Sequence, residues 1–112
     1  MDAVDLRELV AFDDAGPTRS DVVESERLWS ELLCLERNQR YGPVRDHESD
    51  ALFLVVAGEV VVQTNRARKR MKQWSVVLVP AETEVLVTNA SADPAVLLVI
   101  TAPPPTPRAV SG

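Results

Sequence analysis

Ala51-Leu-Phe-Leu-Val-Val-Ala-Gly58-Glu-Val-Val-Val-Gln63 reads as two short runs of strand-favouring residues hinged on a glycine. Val and Leu fill both runs, and branched side chains suit a pleated, half-buried surface. Gly58 stands at the pivot, where it can take the positive φ that a tight turn demands. Thr64-Asn65 supplies the next turn, and Val76-Val-Leu-Val79 is an apolar run stopped by Pro80. Further on, Glu84-Val-Leu-Val-Thr88 alternates, Asn89-Ala-Ser-Ala-Asp-Pro94 turns, and residues 95–101 form a last apolar run. Short strands punctuated every ~8–12 residues predict a sandwich or barrel.

The chain before residue 50 is less decided. Residues 3–11 suit a short strand or a helical turn, and Phe12-Asp-Asp-Ala-Gly-Pro-Thr18 is a turn cluster. Between residues 20 and 36 two readings compete. Ser20 or Asp21 would cap a helix carrying Val22, Val23, Leu28, Leu32 and Leu35 near helical spacing. Alternatively, Leu28-Trp-Ser-Glu-Leu-Leu-Cys-Leu35 is a strand buried on both sides. Propensity alone favours the helix. At the other end, the proline-rich stretch from Ala102-Pro-Pro-Pro-Thr-Pro-Arg108 to the last residue cannot join a ladder and reads as extended or disordered.

Composition sets bounds on function. At 112 residues, 46% apolar and 26% charged, the chain predicts one domain over residues 1–102 with a proline-rich tail over 103–112. No stretch approaches the ~20 apolar residues of a membrane span, so no membrane association is expected. The acidic start, Met-Asp-Ala-Val-Asp-Leu-Arg-Glu, lacks the pattern of a signal peptide, and a cytoplasmic location is expected. Cys34 is the sole cysteine, which precludes an internal disulfide and suits a reducing compartment; within Leu32-Leu-Cys-Leu35 it reads as a small buried hydrophobe. Net charge is −5, yet Arg66, Arg68, Lys69, Arg70 and Lys72 crowd into seven residues; without them the chain carries −10. So acidic a body is a poor ligand for nucleic acid. On a strand, the basic run would discourage edge-to-edge aggregation, or dock an acidic partner such as a second subunit.

The strand order and its turn residues resemble the cupin family of small jelly-roll β-barrels. That family's first motif runs Gly, five residues, His-x-His, three or four residues, Glu, six residues, Gly. Here Gly58 fits the closing glycine, His47 the second histidine, Arg45 the first and Ala51 the glutamate, while Asn38 or Gln39 stands near the opening glycine. The second motif runs Gly, five residues, Pro-x-Gly, two residues, His, three residues, Asn. Pro80 and Asn89 match it, whereas Trp74 and Glu82 replace the glycines and Val85 the histidine. The likeness covers residues ~28–101 in strand layout. It implies an all-β, cupin-like jelly-roll barrel, a strand rather than a helix at residues 28–36, and a homodimer.

Cupin enzymes that use a metal hold it with three imidazoles and a carboxylate. The corresponding residues here are Arg45, His47, Ala51 and Val85. Arginine stays protonated, and Ala and Val have no donor atom. The resemblance therefore predicts no metal, no cofactor and no assigned catalytic residue. Arg45 and His47 are expected to hold the polar end of a small, anionic ligand, with Glu36 or Glu82 as alternative internal partners for Arg45. Phe53 and Val85 would line an apolar wall, and Trp29 and Tyr41 are candidates to stack on the ligand. Two other functions stay open: a cupin enzyme, either a dioxygenase or isomerase with unusual ligands or an acid/base catalyst using His47, and an interaction subunit whose barrel is filled.

Overall fold

The computed structural model describes residues 1–105, so the part of the predicted tail from residue 106 onward lies outside the described residues. Nine strands follow a short 3-10 turn at Leu6–Glu8: β1 (Thr18–Glu24), β2 (Trp29–Leu35), β3 (Arg40–Val44), β4 (Asp50–Ala57), β5 (Glu59–Gln63), β6 (Arg68–Lys72), β7 (Val76–Val79), β8 (Val85–Thr88) and β9 (Ala95–Ala102). They form a five-stranded sheet in the order β1-β2-β9-β4-β7 and a four-stranded sheet in the order β3-β8-β5-β6. Every pairing is antiparallel. The all-β jelly-roll barrel expected from the sequence is the fold observed.

The competing helix over residues 20–36 is replaced by β1 and β2, which pair from Thr18↔Cys34 to Glu24↔Trp29. Every residue of β2 is buried. Leu33 and Leu35 enter the barrel core, while Leu32 and Cys34 lie beneath Leu6 and Leu9 of the N-terminal segment. With both faces covered, β2 shows no alternation in the sequence, and helical spacing arises by chance. Leu28 falls outside the strand and is exposed.

Gly58 does not close a hairpin. It turns the chain from β4 in one sheet to β5 in the other. Its φ is +78°, and an added Cβ would stand 2.9 Å from the Ala95 Cα and closer still to the Pro94 carbonyl oxygen. Both reasons demand glycine. The family's other motif glycines have been replaced here, yet Asn38, Trp74 and Glu82 keep positive φ values of 67°, 72° and 70°. The turns have outlasted the residues that suit them.

Asn89 braces the chain where β2 ends. Fully buried, it donates from Nδ2 to the carbonyls of Leu35 (3.0 Å) and Asp93 (2.8 Å), and its Oδ1 accepts from the Ser91 amide (3.0 Å) and hydroxyl (2.9 Å). One side chain thereby ties the end of β2 to the loop between β8 and β9.

The interior is unevenly filled. Leu33, Leu35, Val55, Val60, Val62, Met71, Val87 and Leu97 pack one end solidly. Toward the other end the inward positions are Trp29 and Glu31 on β2, Ala51 and Phe53 on β4, Val85 on β8, and Val99 and Thr101 on β9, and they surround open space. Met71 alone of the basic strand β6 is buried; Arg68, Lys69, Arg70 and Lys72 are exposed along that sheet's edge.

Candidate functional site

The open end of the barrel is a cavity of about 370 Å³. Alternation fixes its walls, since residues two apart on a strand share a face. Phe53, Val79, Val85 and Val99 make the apolar side, all almost fully buried. Arg45, Asp46, Pro80 and Thr83 stand at the rim with Pro105. Ser49, itself buried, donates its hydroxyl to the Pro103 carbonyl and so holds the segment after β9 beside that rim.

A charged pair sits against the apolar wall. Glu31 is only 3% exposed, and Arg19 from β1 meets it with Nε 3.1 and 3.2 Å from the two carboxylate oxygens and Nη2 at 3.1 Å. β1 and β2 place the two side chains on adjacent strands, offset diagonally, where Arg19 faces Leu33 and Asp21 faces Glu31. Burial raises the Glu31 pKa, and the guanidinium of Arg19 opposes that rise. The same guanidinium lies 5.2 Å from the centre of the Tyr41 ring, within cation–π range. Tyr41 titrates above its ordinary value, chiefly through burial. Trp29 donates from Nε1 to Asp21 at 2.9 Å, which locks its indole against the cavity. Thr101 and Tyr41 line the space, and neither hydroxyl has a hydrogen-bond partner among the described residues.

Arg45, Phe53, Val85, Trp29 and Tyr41 all border this cavity. His47 does not. Its side chain is 72% exposed, and Nδ1 lies 3.1 Å from a carboxylate oxygen of Glu82 outside the lining. Residues two apart share a face only while the chain stays extended. Between Arg45 and His47 it does not, because Asp46 is held in a turn, its side chain accepting from the amides of Glu48 and Ser49. Glu82 is thereby the partner of His47, not of Arg45. Nor does Glu36 meet Arg45: the neighbouring carboxyl of Asp14 is the leading cause of the rise in its pKa. Arg45 has no ion pair or hydrogen bond among the described residues.

Sequence reading overlooked Arg19, Glu31 and Thr101. Glu31 was nonetheless visible: it is the one charge inside the apolar run of residues 29–35, in phase with Trp29, Leu33 and Leu35.

The metal expected of many barrels of this shape does not fit these residues. Ala51 and Val85 offer no donor atom to the cavity, Arg45 offers only protons, and His47 points elsewhere. Among the described residues, no three His, Cys, Asp or Glu side chains gather where a metal ion could be held. No helix among them is long and apolar enough to cross a membrane.

No family model matches the chain, and no curated protein does. Solved structures do. The TT1209 protein of Thermus thermophilus is similar at 31% identity, over 92% of this chain and 98% of that one, with a TM-score of 0.87. An RmlC-like cupin protein from Desulfovibrio desulfuricans is 27% identical over 92% and 97% of the two chains, with a TM-score of 0.81. A Klebsiella pneumoniae protein with a double-stranded β-helix domain shares the fold at 17% identity, over 90% and 89%, with a TM-score of 0.84. With a solved relative of 31% identity matched almost end to end, and likeness of barrel and topology to a cupin of 27%, this chain belongs to the cupin family.

Proposed function

We propose that the protein binds a small organic anion in the open end of its barrel, without a metal. The observation that carries this reading is the Arg45 guanidinium, without a partner among the described residues, on the rim of a mostly apolar cavity of about 370 Å³. A space of that size lies in the range of small-molecule sites, which pair apolar walls with a few placed polar groups. An anionic head would meet Arg45, where a planar guanidinium offers paired donors to a carboxylate. The ligand's apolar body would lie against Phe53, Val79, Val85 and Val99. Its inner end would reach the hydroxyls of Thr101 and Tyr41. His47 has no part in this scheme.

The interaction-subunit alternative needs a barrel filled by its own side chains, and among the described residues only one end is filled. An enzyme would need a proton-transfer group at the ligand. Among the described residues Glu31 is the buried carboxylate of the cavity, but its bidentate bond to Arg19 favours a structural role.

Calorimetric titration with aliphatic monocarboxylates, and with alcohols of matching length, tests the reading. Carboxylates should bind and the alcohols should bind more weakly. Arg45→Ala should weaken the carboxylate at least tenfold, about 1.4 kcal/mol, while His47→Ala leaves it unchanged. Equal affinity for Arg45→Ala would overturn the assignment.

A further inference from the structure

The basic run of the sequence becomes, in the fold, a strand with one side unpaired. β6 hydrogen-bonds to β5 and ends the four-stranded sheet, so its far edge meets no other strand. Hydrogen-bond parity decides which backbone groups that edge presents. The Thr64 amide donates to the Ala67 carbonyl at 2.8 Å, which makes the first opposed pair of this hairpin a bonded one. Bonded and non-bonded pairs alternate along an antiparallel ladder. Val62↔Lys69 and Val60↔Met71 are therefore bonded, and Gln63↔Arg68, Val61↔Arg70 and Glu59↔Lys72 are not. The N–H and C=O groups of Arg68, Arg70 and Lys72 accordingly point away from β5. Among the described residues the Lys72 carbonyl accepts from the Ser75 amide at 3.0 Å, while the three amides and the carbonyls of Arg68 and Arg70 have no hydrogen-bond partner.

The side chains of the same three residues share one face, since residues two apart on a strand lie on one side. Met71 is buried on the other. Each exposed base thus stands beside its own outward-pointing backbone groups. Arg70 is paired with Glu59, but Arg66, Arg68, Lys69 and Lys72 have no carboxylate partner among the described residues. A free edge is a template for a further strand, and charge along it guards against unwanted pairing. Here the guard has one sign. It turns away a neutral or basic strand, a second β6 included, and admits one that carries acids.

We propose that β6 is a docking edge for an extended acidic peptide of another protein, which joins the four-stranded sheet as an added antiparallel strand. The antiparallel sense matches every pairing within the protein. Acids at alternate positions of the peptide stand directly opposite Arg68, Arg70 and Lys72, where opposite charges on neighbouring strands attract. The backbone groups of those acids complete the ladder with Arg68 and Arg70. Nucleic acid would meet the charge but has no ladder to add, and the −10 carried by the rest of the chain repels a long polyanion. No residue of β6 lines the barrel cavity, so the edge is independent of the ligand site.

The probe is a synthetic peptide, capped at both ends, in which three glutamates alternate with two valines between terminal threonines. Titrated into the full chain, it should bind saturably, shift the backbone amide resonances of Arg68 and Arg70, and slow the exchange of their hydrogens. An isomer with its glutamates in one block should bind at least tenfold more weakly. The alternating peptide should lose as much on Arg68→Gln with Lys72→Gln, two exposed positions whose replacement should leave the far-ultraviolet circular dichroism spectrum unchanged. Methylation of the peptide backbone separates strand pairing from charge alone. In the antiparallel arrangement the glutamates turn their amides toward β6 and the valines turn theirs away. N-methylation of the central glutamate should therefore abolish binding, and N-methylation of a valine should leave it unchanged. Absence of binding, equal affinity for the block isomer, or a methylvaline peptide as impaired as the methylglutamate one overturns the proposal. So does a single-stranded oligonucleotide that binds as tightly as the alternating peptide.

Discussion

Glu31 and Arg19 hold opposite charges beside a mostly apolar wall, and neither survives the loss of the other without penalty. Arg19→Met would strand a carboxylate that is 3% exposed, at about 3 kcal/mol. Arg19→Met with Glu31→Gln should recover most of that loss, because both charges leave together. Glu31 also gives stability a pH signature. Its folded pKa stands above the ordinary 4.5, so the folded state holds the proton where the unfolded state has released it. The stability this contributes is complete below about 4.5 and disappears as pH rises through the folded value. Urea denaturation should therefore show the wild type gaining on Glu31→Gln as pH falls from about 7 toward the ordinary carboxylate value; parallel curves would contradict the shift. Of the residues that line the cavity, Arg45 and Val85 were legible from motif alignment and Phe53 from strand phase, whereas Trp29 and Tyr41 were named only as aromatic rings able to stack on a ligand. His47 was misplaced because an alignment of identities says nothing of how Asp46 folds the approach to β4.

Turns carry the family's pattern more faithfully than side chains do. Gly58, Pro80 and Asn89 could be read in the sequence, and so could the strands from β4 onward, because one face of each is wet or the flanking turns are sharp. β1 and β2 could not be read from propensity, since cover on both faces of β2 erases the period of two. The sheet change at Gly58 was equally hidden: a positive φ is needed at a hairpin and at a corner alike. Gly58→Ala should lose about 2 kcal/mol or more, from left-handed strain and the contact with Pro94 and Ala95. Glu82→Gly should act in the opposite sense. It relieves a φ of 70° at an exposed side chain and should stabilise by about 0.5–1 kcal/mol in the same denaturation assay. A destabilised Glu82→Gly would show that the His47–Glu82 contact outweighs backbone strain.

At the level of the whole molecule, the barrel is packed at one end and open at the other, and its outer surface is divided in the same manner into roofed and bare halves. Both divisions follow from one fact: strands alternate, so each side of each sheet must be filled, covered or left to a ligand or partner. The interior void is the claim on which function rests. Trp29, 6% exposed, lines it, whereas the chain's other tryptophan, Trp74, is 71% exposed on the outside. Trp74→Phe therefore leaves a single reporter in the wall of the cavity. Titrating that variant with hexanoate should change Trp29 emission saturably at one ligand per chain, and Val99→Phe, which fills the cavity, should abolish the change. Emission that never responds, or that responds equally with the cavity filled, would contradict a ligand site within the barrel.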